Sequence, residues 1–366
     1  VHHFAVPLDA LALTYAFVLI PRALAVDWWF QRRELYQVTT YIATVRTFVF
    51  FALVLLLVRP GADAETILYI EIGSELAALL FARLAMRRVH AADEKSVPAI
   101  RLADLIRFSL PFLLIGFLNA VQVSMDILVL NAFAGSETTA QYDMGLKISF
   151  LYFFVGATLV QILRPKITRL SQTGELDRLG VILRTASTHL MLASSLLLLP
   201  SLYFAEPIIR LLYGRDPGLA SFVFQWGPAW VGITFLSMLT ADTLLSLGRR
   251  RLYLWAALAC AATNIAANLV LVRILPGHGA LYAKMLSETL FLALTALFLP
   301  RDIFIRNRGG LALQLGGLGL LVSIYACAAW MGRPTIGLAL SVLLLGVFVV
   351  RRRAFSRETL DVLREN

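Results

Sequence analysis

Charge is scarce in this sequence. Lys, Arg, Asp and Glu together make up 15% of its 366 residues, whereas a soluble domain carries about 25%. Cysteine is scarcer still. Cys260 and Cys327 both fall inside apolar runs, so they offer neither a disulfide framework nor a metal-ligand spacing, and both read as small packing residues. The five histidines, at positions 2, 3, 90, 189 and 278, are scattered. The sequence has no two-His metal motif, no glycine-rich phosphate loop and no nucleophile elbow. Those absences argue against an enzyme and against a bound cofactor or metal. They also mean that uphill transport by such a chain draws on a Na+ or H+ gradient, or on withdrawal of product, rather than on ATP. The chain opens without the basic n-region of a secretory signal peptide.

What it has in abundance is apolar length. Hydrophobic residues make up 59% of the sequence, and the mean hydropathy is +0.77. A water-soluble protein of this size cannot hide so much apolar surface, and lipid removes the problem. A bilayer-crossing helix takes roughly 20 apolar residues, and runs of that length recur along the whole chain, which excludes a barrel. The sequence predicts an all-α polytopic membrane protein of about eleven transmembrane helices. The expected spans are I (Ala5–Ala25), II (Tyr41–Val58), III (Glu65–Met86), IV (Ser109–Phe133), V (Tyr142–Leu163), VI (Ala186–Phe204), VII (Ser221–Leu244), VIII (Leu252–Ile274), IX (Ala280–Leu299), X (Leu311–Met331) and XI (Thr335–Val350).

The net charge of +10 would suggest nucleic acid in a soluble protein. Here the bases sit in loops, where they set topology and meet anionic headgroups of membrane lipids, so no nucleic-acid partner is expected. Arg32 and Arg33, Arg83 to Arg107, Arg164 to Arg184, Arg249 to Arg251, Arg301 to Arg308 and the tail after Val350 fall in alternate loops. The intervening loops hold only Arg59, Arg210, Arg215, Arg273 and Arg333. The basic loops are therefore expected to be cytoplasmic in a bacterial inner membrane, with the N-terminus of the chain outside and the C-terminus inside. The longest connection, III–IV, ends in Ala99–Arg107. There Arg101, Asp104 and Arg107 share one face, and Leu102, Leu105 and Ile106 the other. This segment is expected to lie along the cytoplasmic surface.

Two stretches recur. Arg32-Arg33-Glu34-Leu35-Tyr36 before span II resembles Arg249-Arg250-Arg251-Leu252-Tyr253 before span VIII. Leu68-Tyr69 and Ser74-Glu75-Leu76 in span III resemble Leu281-Tyr282 and Ser287-Glu288 in span IX, at a nearly equal offset. Spans I–III then correspond to VII–IX, as in transporters built from repeated bundles. This yields three segments. Residues 1–98 form the second half of an N-terminal lobe. Residues 99–300 form a complete six-helix lobe of spans IV–IX. Residues 301–366 hold two additional helices and a cytoplasmic tail. On this reading three helices of the first lobe would precede span I.

Several stretches in order resemble the polysaccharide-biosynthesis flippases of the Wzx type. These share a superfamily of multidrug, oligosaccharidyl-lipid and polysaccharide exporters (MOP) with the multidrug and toxin extrusion (MATE) transporters and the lipid II flippase. The stretches are Trp29-Phe30-Gln31-Arg32-Arg33; Phe108-Ser109-Leu110-Pro111 through Asp126-Ile127-Leu128-Val129-Leu130; Ala205-Glu206-Pro207-Ile208-Ile209-Arg210-Leu211-Leu212-Tyr213-Gly214; and Asn264 through Asn268 followed by Pro276-Gly277-His278-Gly279-Ala280. The resemblance implies a fourteen-helix, two-lobe fold without its first three helices. It also implies export of an undecaprenyl-diphosphate-linked oligosaccharide, a repeat unit of O-antigen, capsule or exopolysaccharide, from the cytoplasmic to the outer face by alternating access. The polymerase and chain-length machinery of polysaccharide synthesis would be its partners.

Ionisable residues inside spans are costly and mark candidate sites. Arg46 in span II suits a lipid diphosphate, which guanidinium pairs bidentately; alternatively it snorkels or pairs with a span III carboxylate. Asn119, Gln122 and Asp126 line one face of span IV, fit to bind sugar, a proton or Na+, or simply to hydrogen-bond another helix. Glu71 and Glu75 of span III match Lys284 and Glu288 of span IX, either lining a central cleft or satisfying partners within their own lobes. Lys147 in span V either attracts an anionic substrate or reaches the outer interface. Asp242 reads as a gate or local ion pair, Asn264 and Asn268 as packing glue, and Asp9 and Arg22 as weaker candidates. Two other functions compete with the flippase. One is a multidrug or cation antiporter of the same superfamily, whose cavity favours acids and aromatics. The other is a membrane polysaccharide polymerase, which expects a larger outer loop than any present.

Overall fold

A computed structural model of the chain describes residues 10–33, 35–59, 64–90, 101–214 and 218–352. Asp9, most of the III–IV connection and the tail after Arg352 lie outside the described residues. Every element among those described is an α-helix. They divide into two compact units, with the boundary between Ile100 and Arg101.

The first unit comprises α1 (Ala10–Ala23), α2 (Asp27–Arg32), α3 (Tyr36–Leu57) and α4 (Ala64–His90). Helix α4 packs against both α1 and α3. Phe30, Ile42, Ala78 and Ala82 form its buried centre. Ala78 and Ala82 stand one turn apart, and such small residues let neighbouring helices approach closely. Beside them Trp29 meets Phe30 edge-on at 5.0 Å, and the Arg33 guanidinium lies 4.2 Å over the Trp29 ring. Outward, α3 presents Phe48, Phe51, Leu55 and Leu56. So long an exposed apolar face is stable against lipid, not water.

The second unit opens with α5 (Leu102–Thr173), which the dihedrals of Gly135, φ 82° and ψ 172°, divide into two limbs. A straight helix would separate Asp126 and Tyr142, sixteen residues apart, by about 24 Å. Instead the Tyr142 hydroxyl donates to Asp126 Oδ2 at 2.6 Å, so the chain doubles back at Gly135. Residues 102–134 form one limb and 136–173 the other. Only glycine populates that backbone region freely. The expected loop between spans IV and V is thus a one-residue reversal. The expected surface segment before span IV is, from Leu102 onward, the first turns of the same helix.

Helix α6 (Leu176–Tyr213) breaks at Phe204, φ −125° and ψ 19°. Pro207 lacks an N–H for the Tyr203 carbonyl, and its ring crowds that oxygen. Next come α7 (Gly218–Ser246), α8 (Arg250–Ile274) and α9 (His278–Leu297), and finally α10 (Arg301–Trp330) and α11 (Pro334–Arg352). Helix α7 is the centre, packed by α5, α6 and α9. Glycines permit the closest approaches. A Cβ at Gly156 would lie 2.1 Å from the Phe235 ring, and one at Gly227 2.0 Å from Ser149 Oγ. Helix α10 lies along α6, and α11 along α10.

Six helices among the described residues are long and apolar enough to cross a membrane: α3, α5, α6, α7, α8 and α9. Helix α4 has the length but carries Glu65, Glu71, Glu75 and Arg83. In α10 and α11 the apolar stretches Gly319–Trp330 and Pro334–Val347 are shorter. The chain is an all-α protein of membrane-embedded character.

Candidate functional site

The amide-and-acid stripe of α5 faces α8 and α9 inside the second unit. Asp126 is fully buried, and Lys284 reaches it from α9 with Nζ 2.9 Å from Oδ2 and its own side chain 4% exposed. Tyr142 donates to the same oxygen. The ammonium also donates to the Gln122 carbonyl at 3.3 Å and lies 5.0 Å from the Trp230 ring centre. Burying two charges costs several kcal/mol each unless they are paired and hydrogen-bonded, and here they are. Asp126 Oδ1 and Trp230 Nε1 remain buried without a hydrogen-bond partner among the described residues.

A cavity of about 380 Å³ opens beside this pair. Asn119 and Gln122 of α5 and Lys284 and Glu288 of α9 line it, along with rings from Phe150, Trp230 and Tyr253. Ser237 of α7 hydrogen-bonds Glu288 Oε1. Asp242, at the same cavity, is held by Arg164 through Nε at 2.9 Å and a second nitrogen at 3.3 Å. It is thus a local ion pair, with α5 supplying the base instead of the nearby Arg249–Arg251. Asn264 and Ser287 also line the cavity; Asn264 donates to Ser287 Oγ at 3.1 Å, Asn268 donates to the Asn264 carbonyl at 2.9 Å, and the Cys260 thiol donates to the Ser287 carbonyl at 3.1 Å. The Asn264 and Cys260 contacts fasten α8 to α9, as glue between helices, while the Asn268 bond stays within α8 and orients Asn264.

The first unit holds a second cluster. Arg22 of α1 pairs with Glu71 at 2.7 Å and with Glu75 at 2.9 Å, both on α4, and Arg46 of α3 approaches Glu75 at 3.6 Å. The groove they line is more open and measures about 420 Å³. Arg46 therefore meets the α4 carboxylate that the sequence offered as one of its partners. Lys147 is not among the residues lining the second unit's cavity; its side chain is 69% exposed and paired with Asp143 at 2.6 Å on its own helix.

Of the residues singled out from the sequence, the structure gathers Asn119, Gln122, Asp126, Lys284 and Glu288 around one cavity. It gathers Arg46, Glu71 and Glu75 around another. Sequence reasoning passed over Tyr142, Trp230 and Ser237. Tyr142 was recoverable: Gly135-Ser136 between two apolar runs marks a reversal that returns Tyr142 toward Asp126. Trp230 and Ser237 carried no signal, since both sit in an apolar run without charge. Among the described residues no group of His, Cys, Asp and Glu is arranged to hold a metal ion. Comparison with known proteins finds no matching family model, no matching curated protein and no matching solved structure.

Proposed function

We propose that the chain is a membrane transporter that flips a lipid-linked oligosaccharide, carried on undecaprenyl diphosphate, across the bacterial inner membrane by alternating access. The observation that carries this reading is the cavity of the second unit. Amide side chains suit sugar hydroxyls, while aromatic rings suit the apolar faces of sugar rings, and both line a space set among membrane helices. The ordered resemblance to Wzx-type flippases supports the same reading. The half-exposed guanidinium of Arg46 is suited to the diphosphate, and the basic loops face the cytoplasm in this topology.

Deleting the gene in a strain with a single flippase for its surface glycan should abolish that glycan, and a plasmid copy should restore it. A deletion strain with normal surface glycan overturns the proposal. An Arg46→Ala variant that exports normally at wild-type protein levels removes the diphosphate role from Arg46.

One observation favours a second reading, a cation antiporter of the same superfamily. Glu288 faces the cavity among aromatic rings, the setting in which organic cations bind. Drug susceptibility that is unchanged on expression argues against it.

A further inference from the structure

Three carboxylates stand in or against the cavity of the second unit, and two have bases. Asp126 has Lys284 at 2.9 Å, and Asp242 has Arg164 at 2.9 Å. Glu288 has the Ser237 hydroxyl and no direct ion pair among the described residues; Lys284, one turn before it on α9, acts on it only at longer range because its ammonium is held by Asp126. The repeat makes that omission pointed. Ser74 donates to the Glu71 carbonyl at 2.8 Å, and Ser287 donates to the Lys284 carbonyl at 3.0 Å. Those matched bonds align Glu75 with Glu288. Glu75 is neutralised twice, by Arg22 and Arg46. Counting from the shared Leu-Tyr that opens α3 and α8, the position matching Arg46 is Thr263. Among the described residues the direct ion pairs of Glu75 therefore have no counterpart at Glu288, because Lys284, the base one turn before it, is committed to Asp126. A carboxylate in a partly desolvated space, ringed by π faces, has strong complementarity to a cation. Trp230 Nε1, buried at the same wall without a hydrogen-bond partner among the described residues, adds a donor for a hydroxyl or carbonyl beside it.

We propose that this cavity binds a protonated amine, with Glu288 as its counter-ion and the Trp230 and Phe150 rings packed about it. Under the flippase reading, on which this source rests, the amine belongs to an amino sugar with a free amino group in the exported glycan. A lipophilic amine offers the same chemistry.

The test uses the purified full chain in detergent. Its probes are glucosamine, N-acetylglucosamine, dansylcadaverine (a fluorescent primary amine) and the N-acetylated form of dansylcadaverine. Amines should bind at least about tenfold more tightly than their acetylated forms, the size of one charge-assisted hydrogen bond. Glu288→Gln should remove that preference, and Glu288→Asp should keep part of it. Because Gln is isosteric and can still accept from Ser237, an unchanged melting temperature should accompany the loss. If glucosamine shows the Glu288-dependent preference, the proposal holds with the sugar as its source. If only dansylcadaverine shows it, the amine site holds and the flippase reading loses its cargo. If amines and acetylated forms bind alike, or Glu288→Gln keeps the preference, the proposal is overturned.

Discussion

The two polar clusters sit on the two stretches of sequence that resemble one another, around Leu68-Tyr69 to Glu75 and Leu281-Tyr282 to Glu288, yet they are built oppositely. In α1, α3 and α4 the third helix packs on both others, and the same is true of α9 with α7 and α8. On that shared plan, α4 contributes acids at 71 and 75, whereas α9 contributes a base at 284 and an acid at 288. The first unit answers with two arginines, and Arg22 keeps 45% of its side chain exposed. The second answers with one aspartate, and the pair is sealed at 4% and 0%. Exposed pairs hold their charges in or near high dielectric and contribute little. Sealed pairs contribute little net stability while intact but cost much when broken. The matched positions thus divide into an open, adaptable cluster and a sealed, rigid lock.

The largest expected effect comes from breaking the lock on one side. Lys284→Met leaves Asp126 charged in an apolar interior and should cost about 3–5 kcal/mol. Protein that survives purification should show a sharply lowered melting temperature. Adding Asp126→Leu should restore most of that stability, because apolar groups of similar volume then fill the site. If the double variant is as unstable as the single one, Lys284 supports the fold through contacts other than Asp126. Restored stability with lost export would place the pair in the transport cycle.

Next in size is the reversal that assembles the lock. Gly135→Ala meets no steric obstacle, since nothing lies within 4 Å of an added Cβ. Its whole cost is backbone conformation at φ 82°, about 1–3 kcal/mol. A melting temperature unchanged by Gly135→Ala would mean that the limbs of α5 are set by packing alone. Gly156→Ala makes the complementary test. It keeps the backbone but drives a Cβ into the Phe235 ring, so its destabilisation should be relieved in part by Phe235→Leu.

Much of this was legible in the sequence, and the reasons differ by element. Apolar runs bounded by basic loops marked helices α5 to α9, because lipid forces each span to satisfy its own backbone. Three-, four- and seven-residue spacing placed Asn119, Gln122 and Asp126 on one face. The Leu-Tyr and Ser-Glu repeat paired α4 with α9. The partners were hidden. Asp126 and Lys284 stand 158 residues apart, and no local period encodes which helices meet. Arg22 looked like one of the weaker candidates, yet it is the base in closest contact with both Glu71 and Glu75. Asp242 looked set for the Arg249–Arg251 run beside it in sequence. Arg164 took it instead, because α5 and α7 lie side by side. Charge pairing across a bundle follows packing, which the sequence specifies only through the shapes of all the contacts together.

The smallest effects lie in the first unit and at Lys147 in the second. Arg22→Ala removes the short contacts to both Glu71 and Glu75, but these line an open groove and not a sealed core, so with water in that groove the cost should be about 1 kcal/mol or less. Arg46→Ala breaks only a 3.6 Å approach and should cost less again. Lys147→Ala breaks an exposed pair within one helix, for which about 0.3–0.5 kcal/mol is the expected range. Salt sharpens the contrast. Raising ionic strength should erase the Lys147 and Arg46 effects and reduce the Arg22 effect, while leaving the Lys284→Met penalty almost unchanged, since a buried pair is screened far less than an exposed one. Melting temperatures of the four variants at low and high salt decide the point. If the Arg22→Ala penalty proves as large and as indifferent to salt as that of Lys284→Met, the first cluster is sealed as well, and the two units are alike.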